Sequence, residues 1–118
     1  MNNKDVAKIG EDFTELFLKK RGFKIIEKNF RTSFGEIDII AQKNGLLIFV
    51  EVKTRKSISY GMPIEAINEK KQNRIKKIAE NFIRDKRIKF NEIRFDVMSV
   101  ILSAQGEISK WEYIPNAF

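Results

Sequence analysis

The sequence contains no cysteine and no histidine. Without cysteine there are no disulfides, no thiolate metal ligands and no cysteine nucleophile, a composition in keeping with a reducing cytoplasm. Without histidine there is no Ser-His-Asp triad, no usual zinc site and no imidazole base, so any chemistry falls to carboxylates, lysine and tyrosine. Proline occurs twice and glycine six times in 118 residues, with no repeat, low-complexity tract or Ser/Gly linker. One domain over residues 1–118 is expected. No apolar run approaches the roughly 20 residues that span a bilayer, so no membrane partner is expected. The opening MNNKDVAKIGEDF lacks the apolar core and small-residue cleavage site of a secretion signal, and the expected location is cytoplasmic.

What the chain has in quantity is charge. Hydrophobic residues make up 42% and charged residues 33%, the proportions of a soluble globular protein. Lys and Arg outnumber Asp and Glu by 23 to 16, for a net charge of +7. Such a balance favours phosphate-bearing partners through counterion release, although an anionic membrane surface or ribosomal RNA attracts it equally.

Periodicity supplies the elements. Val6, Ile9, Phe13, Leu16 and Phe17 recur at helical spacing, which predicts an amphipathic helix from about Asp5 to Lys20, ended by Gly22. A strand from Phe23 to Arg31 follows, then the segment GEIDIIAQKNGLLIFVEVKT (Gly35 to Thr54), which reads as two strands around an Asn-Gly turn. Arg55 to Gly61 has the composition of a loop. Ile64, Ile67, Ile75, Ile78, Ala79 and Phe82 mark a second helix that starts near Pro63 or at an Asn68 cap and runs to about Arg87. Strands Ile93–Leu102 and Ile108–Ile114 close the chain. The expected class is α/β: a single mixed β-sheet flanked by helices, order αβββαββ.

The central hairpin carries Glu36, Asp38, Glu51 and Lys53 among isoleucines and valines. A two-residue Asn44-Gly45 turn fixes the register outward from Lys43 and Leu46, so that Asp38 is expected opposite Glu51 and Glu36 opposite Lys53. Ile37, Ile39, Ala41, Leu46, Ile48, Val50 and Val52 then share an apolar face, with the charges on the other. Opposed Cβ atoms lie about 4.5–5.5 Å apart. Two carboxylates so placed repel by roughly a few kcal/mol, and one stays protonated unless a cation lies between them. Mg²⁺, which takes oxygen ligands, removes that penalty. Lys53 on the same face can then orient or deprotonate an attacking water, or stabilise charge on phosphorus. The plainer alternative is a solvated hairpin end in which Lys53 pairs with Glu36 and Glu51. Apolar neighbours on both faces favour a site.

Asp38 followed by Glu51-x-Lys53 on the adjacent strand resembles the PD-(D/E)xK nuclease superfamily. The wider set is more specific: Gly10-Glu11, Asn29-Phe30-Arg31, Gly35-Glu36-Ile37-Asp38, Phe49 to Arg55, Lys71, Arg94-Phe95-Asp96-Val97 and Asn116-Ala117-Phe118. Together these resemble the bacterial YraN family, in order along nearly the whole chain. That family is regarded as nuclease-like through its similarity to Holliday junction resolvases. The resemblance implies a restriction-endonuclease-like fold, with Asp38 and Glu51 as metal ligands and Lys53 as the catalytic lysine. It also implies that Glu11 completes the metal site, although on the helix Glu11 lies nearly opposite the apolar stripe and solvation is the other option. The proline that gives the superfamily motif its name is missing before Asp38.

Lys71 falls inside the apolar stripe of the second helix, where it must snorkel or meet the acidic cluster or a phosphate. Arg74, with Lys70, Lys77 and Arg84, lines an adjacent flank, and Arg31 and Arg55 lie at strand ends. Arg31, Arg55, Lys71 and Arg74 are the candidates for tracking a nucleic-acid backbone, a solvated flank being the default. Asp96 is expected in a structural pair with Arg94, and Trp111 and Tyr113 in packing. The expected activity is Mg²⁺- or Mn²⁺-dependent endonucleolytic hydrolysis of phosphodiesters, with DNA, branched by the resolvase resemblance, as partner. A homodimer making two symmetric cuts is an accompanying expectation. The alternatives are a DNA/RNA-binding module that keeps the fold without the chemistry, and an adaptor for an acidic protein.

Overall fold

The computed structural model describes residues 1–56 and 67–118. Its elements are α1 (Asn3–Lys20), β1 (Lys24–Thr32), β2 (Gly35–Lys43), β3 (Leu46–Arg55), α2 (Glu69–Lys86), β4 (Glu92–Leu102) and β5 (Ile108–Ile114). Side-chain caps set the helix starts. Asn2 accepts from the Asp5 N–H at 2.9 Å while the Asp5 carboxylate reaches back to the Asn2 N–H, a capping box that begins α1 two residues before Asp5. Asn68 accepts from the Lys71 N–H at 2.9 Å and caps α2. The other start considered, near Pro63, lies outside the described residues, as do Ile64 and most of the Arg55–Gly61 loop.

The five strands lie in chain order in one sheet. β3 and β4 run parallel, and the other neighbours are antiparallel. A parallel pair cannot be closed by a tight turn, and α2 lies in the crossover between the two strands. Alternation along β3 serves two cores. Ile48 and Val50 pack with Val6, Phe17 and Leu18 of α1, whereas Leu47 and Phe49 pack with Ile75, Ile78, Ala79 and Phe82 of α2. The helices therefore cover opposite faces of the sheet.

The buried face of α1 is Val6, Gly10, Thr14, Phe17 and Leu18, rotated from the expected stripe; Leu16 is 54% exposed. Small residues draw the helix onto the sheet. A Cβ added to Gly10 would lie 1.8 Å from Thr54 Oγ1 on β3, so any side chain here must displace Thr54 or the helix. The rotation leaves Glu11 half-buried at the sheet rather than in solvent.

The hairpin forms as its turn predicts: Asn44 (φ 48°) and Gly45 (φ 83°) both lie in the left-handed region, and β2 pairs with β3 from Lys43↔Leu46 to Ile39↔Val50. There the ladder stops. Asp38 is not paired with Glu51, nor Glu36 with Lys53; instead Asp38 Oδ2 accepts from the Val52 N–H at 2.7 Å. β2 continues with β1 to Thr32↔Gly35, while β3 continues with β4 to Arg55↔Ile101. The sheet forks at Asp38.

Side-chain facing changes at the same point. Ile39 belongs to the α1 core and Ile37 to the α2 core, although they are two residues apart. The expectation that both share one apolar face is thereby corrected. Asn29, on β1 between the partners of Ile37 and Ile39, has φ 53°. This left-handed residue, which asparagine tolerates better than most, breaks the pleat and lets β1 and β2 turn together.

Candidate active site

Glu51 and Lys53 continue the face of β3 that Leu47 and Phe49 present to α2. Glu51 is nearly buried, and two ammonium groups converge on its Oε1: Lys71 from the first turn of α2 at 2.9 Å and Lys53 at 3.5 Å. The lysine in the apolar stripe thus meets the acidic cluster. Burial holds Lys53 below the ordinary lysine value, reinforced by Lys71 and opposed by Glu51. Burial also disfavours the charge on Lys71, but the Glu51 carboxylate outweighs that and holds it above the ordinary value.

Asp38 occupies the fork. Burial and the charge of Glu51 push its carboxyl up to about 8, Glu11 and Glu36 adding to the rise and the Val52 N–H opposing it. The repulsion expected from direct strand pairing is present, produced by the fork rather than by the ladder.

A cleft of about 570 Å³ opens beside Asp38 between α1 and β1, with Glu11, Lys28, Asn29 and Glu36 along it. Asn29 Nδ2 donates to Glu11 Oε1 at 3.0 Å and to Glu36 Oε1 at 2.8 Å. One amide therefore ties the helix carboxylate to that of β2. Glu36 also accepts from Arg31 Nη2 at 2.9 Å, so its partners are Asn29 and Arg31, not Lys53. Sequence reasoning named Asn29 only as part of a motif. An asparagine inside a strand, directly before Phe30, is the signal the sequence offers.

The other basic candidates are dispersed. Arg55 ends β3, half-buried. Arg74 is exposed on α2, its Cδ 3.5 Å from where a Cβ on Gly35 would lie. Arg84, near the far end of α2, pairs with Asp85 at 3.2 Å. Asp96 is structural: fully buried, it accepts from Arg94 Nε and Nη2 at 2.9 Å each, from the Asn116 N–H at 2.9 Å and from the Tyr113 hydroxyl. Trp111 packs against Phe13 and Phe17.

Among the described residues no three carboxylates close on one point as they stand. The donor set still suits a hard cation, because Mg²⁺ takes only one or two carboxylates and fills its octahedron with waters and phosphate oxygens. Asp38, crowded by Glu51, Glu11 and Glu36, is a carboxyl whose ionisation a divalent ion would favour.

A mixed five-stranded sheet between two helices, in the order αβββαββ, is the restriction-endonuclease-like arrangement. The chain belongs to the Uncharacterised protein family UPF0102, the YraN family, whose profile matches residues 10–100. Relatives called UPF0102 protein include one from Dictyoglomus turgidum, 60% identical over the whole of both chains. Another from Alkaliphilus metalliredigens is 47% identical over 98% of this chain and 99% of its own. A third, from Caldicellulosiruptor saccharolyticus, is 42% identical over both entire chains.

Proposed function

We propose that the protein is a divalent-cation-dependent nuclease acting on phosphodiester bonds of nucleic acid. The observation that carries this is the cluster at the fork: Lys53 and Lys71 both turned onto the buried Glu51, beside Asp38, whose carboxyl burial and Glu51 lift to about 8. Asp38 and Glu51 would hold Mg²⁺ or Mn²⁺, while Glu11, tied to Asn29, would reach the ion through a water. The bound ion supplies a Lewis acid that polarises the phosphate and acidifies a water. Lys53, held below its usual value by burial, is suited to take or orient the proton of the attacking water. Lys71 keeps its charge and, with Glu51 engaged by a cation, would be free to neutralise a phosphoryl oxygen. The net charge of +7 draws the polyanionic substrate.

Cleavage of a panel of branched, flapped, single-stranded and duplex DNA, and of RNA, with Mg²⁺ or Mn²⁺ tests this. Lys53→Ala is expected to lower the rate by about 10²–10⁴-fold, the range for a positioned proton-transfer group. Equal rates for the variant and the wild type would contradict the assignment. A second reading, a binding module without chemistry, is favoured by one observation: Lys71 already neutralises Glu51 at 2.9 Å. It predicts DNA binding that is indifferent to divalent ions and no cleavage of any substrate in the panel.

A further inference from the structure

We propose that Phe34 is a stacking platform for an unpaired base, so that the preferred strand carries single-stranded nucleotides beside the scissile phosphate. This rests on the nucleic-acid reading above and names its substrate class. Phe34 lies in the Ser33-Phe34 turn between β1 and β2 and is 42% exposed. The turn is fixed in shape. The Phe34 N–H donates to Thr32 Oγ1 at 3.1 Å, and Gly35 has φ 135°, a value open to glycine and strained for other residues. The ring is held out by local structure, so presenting it to a ligand costs little ordering entropy.

Its surroundings are cationic. Lys77 Nζ lies over the ring, 4.8 Å from the centroid, Arg74 packs beside Gly35, and Arg31 is opposite Glu36 in the ladder, its side chain 77% exposed. Lys71, Arg74 and Lys77 follow one another along α2, and at the helical rise the first and last are about 9 Å apart along the axis. The row links the lysine on Glu51 to the cation over Phe34. A protein-docking surface offers continuous apolar area. A single aromatic ring among cations has the composition of single-strand binding sites, where bases stack and phosphates are paired. Among the described residues Phe90 and Trp111 are exposed as well; no cation lies over Phe90 as Lys77 does over Phe34, and Trp111, beside Leu16, has Phe13 and Phe17 as its aromatic neighbours. The Phe34 turn also leads directly into Glu36 and Asp38, so a stacked base holds the adjoining backbone at the fork.

Fluorescence anisotropy with labelled single-stranded, flapped and fully duplex DNA, with Ca²⁺ replacing Mg²⁺, tests the proposal. Phe34→Ala and Phe34→Leu are expected to weaken single-stranded and flapped binding by about 5–100-fold, the effect of losing one stacked base. Duplex binding should change less than about 2-fold, and Phe34→Trp should retain wild-type affinity. The salt dependence should be unaltered in the Phe34 variants, whereas Lys77→Ala should reduce its slope by about 0.7 on a single strand. Wild-type affinity of Phe34→Ala for single strands, or equal loss on all substrates, overturns the platform and leaves the nuclease reading standing. Failure of the wild type to bind any of the DNAs overturns both.

Discussion

Metal-free Asp38→Asn protein is expected to melt above the wild type at pH 8, with the difference shrinking to nothing toward pH 4. The Asp38 carboxyl is held up to about 8 by burial and by Glu51, whereas in an unfolded chain it titrates near 3.9. Between those values the unfolded chain releases a proton that the folded chain retains, so wild-type stability falls as pH rises through the window and levels off above it. Below about pH 4 both states are protonated and the penalty vanishes. Asparagine preserves the acceptor for the Val52 N–H and has no proton to lose. A gain of about 1 kcal/mol corresponds to roughly 3–6 °C for a chain of 118 residues, and a rise of at least about 3 °C is predicted at pH 8. Melting curves of both proteins from pH 4 to 9 in EDTA supply the check. A variant that melts with or below the wild type at pH 8 contradicts the crowding on which the site is built.

Asp96→Ala is expected to cost about 3–5 kcal/mol, the effect of removing one member of a buried ion pair. Four donors lose their acceptor at once: the two Arg94 nitrogens, the Tyr113 hydroxyl and the Asn116 N–H. The Asn116 bond also supports the end of the chain, where the Ala117 N–H donates to the Phe95 carbonyl at 2.7 Å and Phe118 stacks on Phe95. The melting temperature should fall on the order of 15 °C. Asp96→Asn, which keeps an acceptor for the Asn116 N–H, should fall less. Urea melts of the three proteins measure both effects, and a loss under about 1 kcal/mol for the alanine variant would remove Asp96 from the structural account.

Element order was legible because each helix and strand has the apolar period of its type, and because Asn44-Gly45 and the Asn68 cap mark positions where few other residues serve. The register near the turn followed for the same reason. Three features were not legible. The face of α1 was misjudged because apolar counting gives no weight to Gly10, whose missing side chain brings the helix onto Thr54. The fork was missed because alternation assumes an unbroken pleat, and Asn29 in the left-handed region breaks it through a long-range pairing invisible along the chain. Glu36 was expected on Lys53 for the same reason and instead bonds Asn29 and Arg31. Of the site, Lys71 on Glu51 settles an option that its place in the apolar stripe left open, and Lys53 on Glu51 is the pairing of the plainer, ion-pair alternative. The tie between Glu11 and Glu36 depended on the unrecognised conformation of Asn29.

Calorimetric titration of Mn²⁺ into wild type and Asp38→Ala at pH 7, in two buffers of different ionisation enthalpy, tests the central claim most directly. Because the Asp38 carboxyl holds its proton up to about 8, a cation bound there must displace it. The wild type should bind Mn²⁺ with release of close to one proton, falling toward zero at pH 9, and the variant should show no binding. Identical isotherms for the two proteins, or wild-type binding at pH 7 with no proton released, would contradict a cation site at the fork.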